Sequence, residues 1–361
     1  MKIEHCNYQI KNLNLKYLYV QLKKGALFNS QNKLGLSHLY EHLFFKSNNF
    51  EKFLIDHNIL FDAQTTYDNI LIEFIFEDSN EEELFTRIKN NLQDLKISKE
   101  NFNNEKEIIF NEIACNRNIE NLALNSIFAN YYGYKNDVDI ILGNEETINN
   151  IKIEDLENFT EETNVVFHTF SRDLTKKNNI KVINKKYIEE KELQGIQKLA
   201  CDGKAVCFFY KCGKKDINNY LISELLNVFL ASENGILFKN IREKLGLSYN
   251  LWSNSFCSNE DIFIFGFIET LNKNKVLKVL KEIFSDTKNK LIDSDYFESL
   301  KRKIFLMTLY DYDKFENYDF FIDFGFYDIQ KMKNIISKIS IIDFNKKLLE
   351  FLAFVQIVEI N

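Results

Sequence analysis

The sequence predicts an α+β protein built from two homologous α/β-sandwich domains, that is, one unit present twice. Three observations carry that prediction. The chain has 361 residues, too many for one ordinary core and suited to two domains of roughly 180 each. Strand-like and helix-like segments recur in the same order in both halves. One stretch of the first half can also be laid on the second without a gap. In that register Ile97-Ser98-x-Glu100-x-Phe102-x-x-Glu105-Lys106-x-x-Ile109-Phe110 falls on Ile292-Asp293-x-Asp295-x-Phe297-x-x-Leu300-Lys301-x-x-Ile304-Phe305.

The elements follow from apolar spacing. Leu15 to Leu27 alternates around Lys and Gln and reads as a strand, and Leu34 to Phe45 has helical spacing. Phe61 to Phe76 reads as a strand pair with its bend near Asp68-Asn69. Asn80 to Leu95, Phe102 to Ile119 and Ile153 to Glu162 read as helices. The polar stretch Arg172 to Asn179 opens a linker running to about Gln194, which divides the chain into domains 1–180 and 190–361. The order then repeats. Ala205 to Tyr210 is a strand, Asn218 to Ala231 a helix, and Tyr249 to Cys257 and Ile262 to Glu269 are strands. Lys273 to Ser285 and Asp295 to Leu309 are helices.

Composition narrows the class. Hydrophobic residues at 45% and charged residues at 27% exclude a disordered chain, a collagen-like fibre and a small disulfide scaffold. A net charge of −7, from 46 basic against 53 acidic residues, with no basic stripe, argues against nucleic-acid binding. There is no proline, and the abundance of Lys, Asn, Ile and Phe is the signature of AT-rich coding. Turns therefore fall to Asn, Asp, Ser and Lys. The six cysteines contain no C-x-x-C pair, so free thiols in a reducing compartment are expected rather than a zinc ribbon. Met1 to Leu13 has no apolar core of a signal peptide, and no run of 18 uncharged apolar residues exists. A soluble, cytoplasmic protein without membrane contact is the expectation.

The chemistry concentrates in His38-Leu39-Tyr40-Glu41-His42. On a helix, residues four apart lie one turn apart on the same face, so both imidazoles can reach one ion. Glu41 projects beside them and can take a proton from a zinc-activated water without being a ligand. The order His-x-x-Glu-His inverts the commoner zincin motif. A catalytic zinc needs a third protein ligand. Glu105 and Glu112, seven residues apart, line one stripe of a second helix. One of the two can bind the metal and the other can orient a histidine. In the second copy these positions are Leu300 and Met307, so the fold unit itself does not require acids there.

Beyond the pentapeptide, the chain resembles the M16 zinc peptidases, the inverzincins related to pitrilysin, insulysin and the mitochondrial processing peptidase. Gly35-Leu36-Ser37-His38-Leu39-Tyr40-Glu41-His42-Leu43-Phe44-Phe45-Lys46 resembles the family's Gly-Leu-Ala-His-x-x-Glu-His-x-x-Phe-Lys block. Asp62-Ala63-Gln64-Thr65 falls where Asn-Ala-x-Thr is usual. Glu105-Lys106 through Glu112-Ile113 resembles the block that supplies the third ligand, and Leu142-Gly143-Asn144-Glu145-Glu146 the Leu-Gly-Thr-x-Glu stretch. Leu237 to Tyr249 resembles a Leu-Arg-Glu-x-x-Gly-Leu-Ala-Tyr block.

This resemblance implies half of a clamshell peptidase with one zinc per chain. His38, His42 and Glu112 would bind the metal, with Glu105 behind a histidine and Glu41 as general base. Arg242 and Tyr249 would hold the substrate backbone and its oxyanion, and Asp62 and Ala63 would line the substrate on an edge strand. The substrate would be a peptide. Family members carry the zinc on one half and the Arg/Tyr pair on the other. A homodimer working in trans is therefore expected, or a heterodimer with a related subunit. Three departures stand out. Asp62 replaces Asn, Ser37 replaces Ala with no expected effect, and the strand pair ahead of the zinc helix looks abbreviated.

Overall fold

A computed structural model describes residues 1–9, 13–77, 81–116, 118–134, 139–172, 198–199, 204–258, 260–289, 292–314, 324 and 329–360. The chain divides into two compact units, Met1–Asn118 with Asn125–Lys191, and Ile119–Leu124 with Glu192–Asn361. The expected linker, beyond Arg172, lies outside the described residues.

In the first unit, the strands are β1 (Lys2–Gln9), β2 (Lys16–Leu22), β3 (Leu60–Thr65), β4 (Ile70–Phe76) and β5 (Asn164–Ser171). They form one sheet in the order β1-β5-β2-β4-β3. β1 and β5 run parallel and every other neighbour is antiparallel. The main helices of this part of the chain are α1 (Leu36–Lys46), α2 (Phe50–Asp56), α3 (Glu81–Gln93) and α4 (Lys99–Cys115). Strand alternation sends Val20, Ile72, Phe74 and Phe167 to one face of the sheet. There they join Leu39, Leu43 and Phe44 of α1, Ile88 of α3 and Ile109 of α4 in a single core.

The second unit repeats the plan. Its strands are β6 (Lys198–Leu199), β7 (Ala205–Lys214), β8 (Leu251–Cys257), β9 (Asp261–Glu269) and β10 (Gln356–Ile360), in the order β6-β10-β7-β9-β8. Again one outer pair is parallel and the rest antiparallel. The register read from sequence extends to single contacts. Ser98 caps α4 by accepting from the Asn101 N–H, and Asp293 accepts from the Tyr296 N–H at the start of the helix Ser294–Lys314. Lys106 donates to the Ile151 carbonyl at 3.0 Å, and Lys301 to the Ile339 carbonyl at 3.3 Å. Each of these carbonyls immediately precedes a helix-opening residue, Lys152 or Ser340.

Several boundaries differ from the sequence reading. The strand expected to reach Leu27 stops at Leu22, because Ala26–Phe28 forms a 3-10 turn after Gly25. The helix expected from Phe102 to Ile119 starts at Lys99 and ends at Cys115, and a new helix opens at Ile119. The helix expected to reach Glu162 ends at Glu157, and Glu162 takes a positive φ of 58°. Two strands precede α1, separated in the sheet by β5: the seven-residue β2 and, before it, the eight-residue β1. Its sequence KIEHCNYQ lacks the apolar alternation of a half-buried strand, which hid it. β5 and β10 were also not foreseen. No helix among the described residues is long and apolar enough to cross a membrane.

One buried group gives the fold a pH signature. His168 lies in β5 at 3% exposure, with the Tyr8 hydroxyl 3.2 Å from Nδ1 and Gln21 Oε1 3.3 Å from Nε2. Burial, aided by Lys23, pushes its imidazole down to about 3. In the unfolded chain it titrates near 6.5. Protonation therefore favours the unfolded chain, and stability that is complete above about pH 6.5 is lost as pH falls towards 3. The loss attributable to this residue should approach about 1.4 kcal/mol per pH unit in the middle of that window. Urea unfolding at pH 7 and pH 5 checks this: the drop in midpoint should be distinctly smaller in His168→Gln than in the wild type.

Candidate metal centre

The placement of α1 begins with two glycines. Gly35 caps the helix in the left-handed region at φ +87°, where a Cβ would lie 2.5 Å from the Leu142 carbonyl oxygen and 2.3 Å from Ile148 Cδ1. Gly143, at φ +75°, faces the Leu34 carbonyl oxygen, which a Cβ would approach to 2.4 Å. Each glycine thus seats the residue preceding the other, and only glycine permits both the φ and the approach. Asp139 shapes the Leu142-Gly143 turn, accepting from the N–H groups of Ile141 (2.8 Å) and Leu142 (2.9 Å) and from Asn125 Nδ2 (2.5 Å). Ser37, for which no effect was expected, is fully buried and donates within reach of the Gly25 carbonyl (3.0 Å) and Asn29 Oδ1 (2.9 Å). Its hydroxyl ties the first turn of α1 to the preceding loop, a contact that Ala could not make.

With α1 seated, Leu39, Tyr40, Leu43 and Phe44 enter the core at 0% exposure. His38 and His42 then face α4 with ring centroids 4.6 Å apart. Glu112 Oε2 lies 2.9 Å from His38 Nε2 and 3.8 Å from His42 Nε2. Glu105 Oε2 lies 3.0 Å from the other nitrogen of His42, Nδ1, and its Oε1 lies 3.9 Å from Lys46 Nζ. Lys106, next to Glu105, anchors α4 through the Ile151 carbonyl and so fixes the face that the two acids present.

One ligand atom from each of His38, His42 and Glu112 falls within 4.8 Å of the others. A tetrahedral zinc with bonds of about 2.0–2.1 Å holds its ligand atoms about 3.3 Å apart. The separations of 2.9 and 3.8 Å lie on either side of that value, so these residues fit such an ion. The choice between the acids, open in the helix spacing alone, also has a geometric basis. Glu112 is within reach of both imidazoles, whereas Glu105 meets only the far nitrogen of His42.

Without metal the cluster is an ion pair. Burial works to lower the pKa of His38, but Glu112 and Glu41 outweigh it and hold the imidazole up at about 9. Glu112 is in turn held below the usual carboxylate range, chiefly by its hydrogen bond with His38. Glu41 is 8% exposed, with Oε2 3.5 Å from His38 Nδ1. Thr65, at the end of β3, donates a short hydrogen bond to the same oxygen. Thr65 had no role in the sequence reading. Its signal was alternation, which puts Phe61, Ala63 and Thr65 on the side of β3 facing α1.

Asp62 and Ala63 lie on the edge strand β3 beside Glu41 and His42. The Ala63 N–H donates to Asp62 Oδ1 at 2.9 Å. Arg242 and Tyr249 lie in the second unit and meet each other there. A π-helical turn, Phe238–Lys244, presents the Arg242 guanidinium over the rings of Phe238 (4.6 Å) and Tyr249 (4.7 Å). Tyr249 is 83% exposed.

Two family models match the chain. One, described as insulinase (peptidase family M16), covers residues 15–142, and one described as peptidase M16 inactive domain covers residues 123–304. No curated protein sequence matches. Among solved structures, a protease from Helicobacter pylori is similar at a TM-score of 0.77 and 16% identity, over 98% of this chain and 96% of that one. A peptidase M16 inactive domain from Pseudomonas fluorescens reaches 0.76 at 12% identity, over 99% and 95%. The periplasmic protease PqqL from Escherichia coli reaches 0.75 at 10% identity, over 99% of this chain but 46% of that one. At these identities the likeness is one of fold.

The contacts of the centre set an order of effects on metal affinity. Glu112→Gln should abolish stoichiometric zinc binding, whereas Glu105→Gln should weaken it by about 10–100-fold, as expected for a partner behind a ligand. The metal must also displace the proton held by His38, so wild-type affinity should rise with pH from 7 towards 9. Competition against a chromophoric chelator measures all three.

Proposed function

The chain belongs to the M16 family of peptidases, and from that premise we propose that it is a zinc-dependent endopeptidase or oligopeptidase acting on short unstructured peptides in a closed chamber. The observation that carries this reading is the meeting of His38, His42 and Glu112 with Glu41 poised beside them. When bound, a zinc ion supplies a Lewis acid and brings the pKa of a water towards about 7. Glu41, oriented by Thr65, takes the proton of the attacking water and returns it to the leaving amine. Glu105 keeps His42 in the tautomer that directs Nε2 inward. Arg242 and Tyr249 donate to the carbonyl oxygen as charge grows on it. β3, with Asp62 and Ala63, offers an extended peptide main-chain pairing along its open edge. Maturation of a precursor peptide is a role that suits such an enzyme.

The complete ligand set supports catalysis. The rival is a non-catalytic or partner subunit of a heterodimeric M16 peptidase, and it draws on the "inactive domain" description matched by residues 123–304. For the active enzyme we propose a homodimer in which Arg242 and Tyr249 of one protomer serve the zinc of its partner. The length relation to the E. coli protease, of which this chain spans 46%, supports a half-size subunit.

Glu41→Gln should retain one zinc per chain while peptide cleavage falls by a factor on the order of 10³. Well-folded wild type that holds no zinc and cleaves nothing would favour the partner-subunit reading. Mixing Glu41→Gln with Arg242→Ala should restore part of the activity each lacks alone. Absence of that rescue, or full activity in a sedimenting monomer, would remove the dimer.

A further inference from the structure

Beside the metal centre a cavity of about 230 Å³ opens between α1, α2, β3 and α4. Its near end is Glu41 and His42. Its walls are apolar, formed by Phe45, Phe61 and Ala63, with the two phenylalanine rings 4.8 Å apart. Its far end is Lys46, whose Nζ meets both oxygens of Glu51 at 2.9 and 2.8 Å. Glu51 lies in α2, outside every motif quoted above, and its side chain is 37% exposed. Asp62 completes the rim, and among the described residues it forms no ion pair, its hydrogen bond being to the neighbouring Ala63 N–H.

We propose that this cavity is a side-chain pocket for a lysine or arginine flanking the scissile bond, with Glu51 as the specificity-determining residue. The proposal rests on the peptidase reading above and adds the substrate class. A peptide paired along β3 sends alternate side chains towards α1, where the pocket opens. The methylene stem of a basic residue matches the walls of Phe45, Phe61 and Ala63, and its charged tip matches the polar end. The charge there is uneven. Glu41 and Glu105 are engaged with the two histidines, and Asp62 points to the other face of the sheet, so Glu51, held by Lys46, is the carboxylate that a residue entering the cavity meets. The Glu51 carboxylate has about four acceptor sites, so it can receive a second cation while keeping Lys46. An acidic side chain would face the Glu51 carboxylate, and a purely apolar one would strip solvent from the ion pair without replacing its hydrogen bonds.

The test uses the full-length, zinc-loaded chain in two arms. In the first, a peptide library is digested and the residues flanking each cleaved bond are read by mass spectrometry. In the second, the Glu41→Gln protein is titrated with a labelled peptide series that varies one residue among Lys, Arg, Leu and Glu. Lys and Arg should be enriched at one of the two flanking positions, and the basic peptides should bind about tenfold more tightly than the Leu peptide. Glu51→Lys, placed in both the active and the Glu41→Gln background, should reverse both preferences in favour of Glu. Cleavage without basic enrichment, or enrichment that survives Glu51→Lys, overturns the pocket and leaves the peptidase reading standing. A basic preference in binding without any cleavage overturns the peptidase reading and leaves the pocket. No cleavage and no binding preference removes both.

Discussion

Two imidazoles and three carboxylates, held between two helices and one strand end, are the constraint from which the rest of the first unit follows. A buried charge is costly unless a partner of opposite sign is within reach. His38, Glu41 and Glu105 are each below a tenth exposed, so each depends on its neighbours being placed to within a fraction of an ångström. The imidazolium–carboxylate pair of His38 and Glu112 is the form that satisfies this without metal, and a divalent cation satisfies it by replacing the proton. The fold meets the tolerance by backbone contact rather than by adjustable side chains. Gly35 against Leu142 and Gly143 against Leu34 fix the start of α1, and Lys106 on the Ile151 carbonyl fixes the rotation of α4.

The second unit shows which part of that arrangement belongs to the fold and which to the chemistry. Sheet order, helix cap and buried lysine all recur in it. Lys301 is as buried as Lys106, and both lie over the Phe four residues back, Phe297 and Phe102. The acids do not recur. Leu300, at the position of Glu105, is 4% exposed and packs in the core, while Met307, at the position of Glu112, is 45% exposed. An apolar residue there gives a helix that packs without any need for a cation. The acids of α4 are therefore a departure from what packing alone would select, kept where histidines stand opposite them.

Much of this was legible in the sequence because it was written in spacing. The four-residue step of His38 and His42 and the seven-residue step of Glu105 and Glu112 are helical steps, and helices carry their geometry locally. The gapless register of the two copies has a structural counterpart, since Lys106 and Lys301 each meet a backbone carbonyl. What escaped depends on contacts distant in the chain. β1 is held by its parallel pairing with β5, more than 150 residues away, and its own residues do not alternate. The hydroxyl of Ser37 acquires meaning only when Gly25 and Asn29 are brought beneath it, and Thr65 only when β3 turns its last residue under Glu41. The match of Gly35 to Gly143 is likewise invisible along the chain, although both glycines stood in recognised blocks.

The edge strand β3 poses the remaining physical problem. An exposed edge is an aggregation hazard, and native sheets usually blunt it with charge or by occupying its donors. An edge that receives a substrate strand cannot be blocked outright. Here the Asp62 carboxylate turns back onto the Ala63 N–H, occupying one donor of the strand with a group that a peptide carbonyl can displace. Across the ladder Asp62 faces Glu73, whose carboxyl is raised by burial, an effect reinforced by Asp62. Like charges directly opposite one another weaken a strand pair, so Asp62 is not explained by sheet stability. An Asn at this position would cap the same amide through its carbonyl oxygen without the repulsion. The negative charge itself is what the position adds, and it adds it at the open edge of the sheet, on the face away from α1.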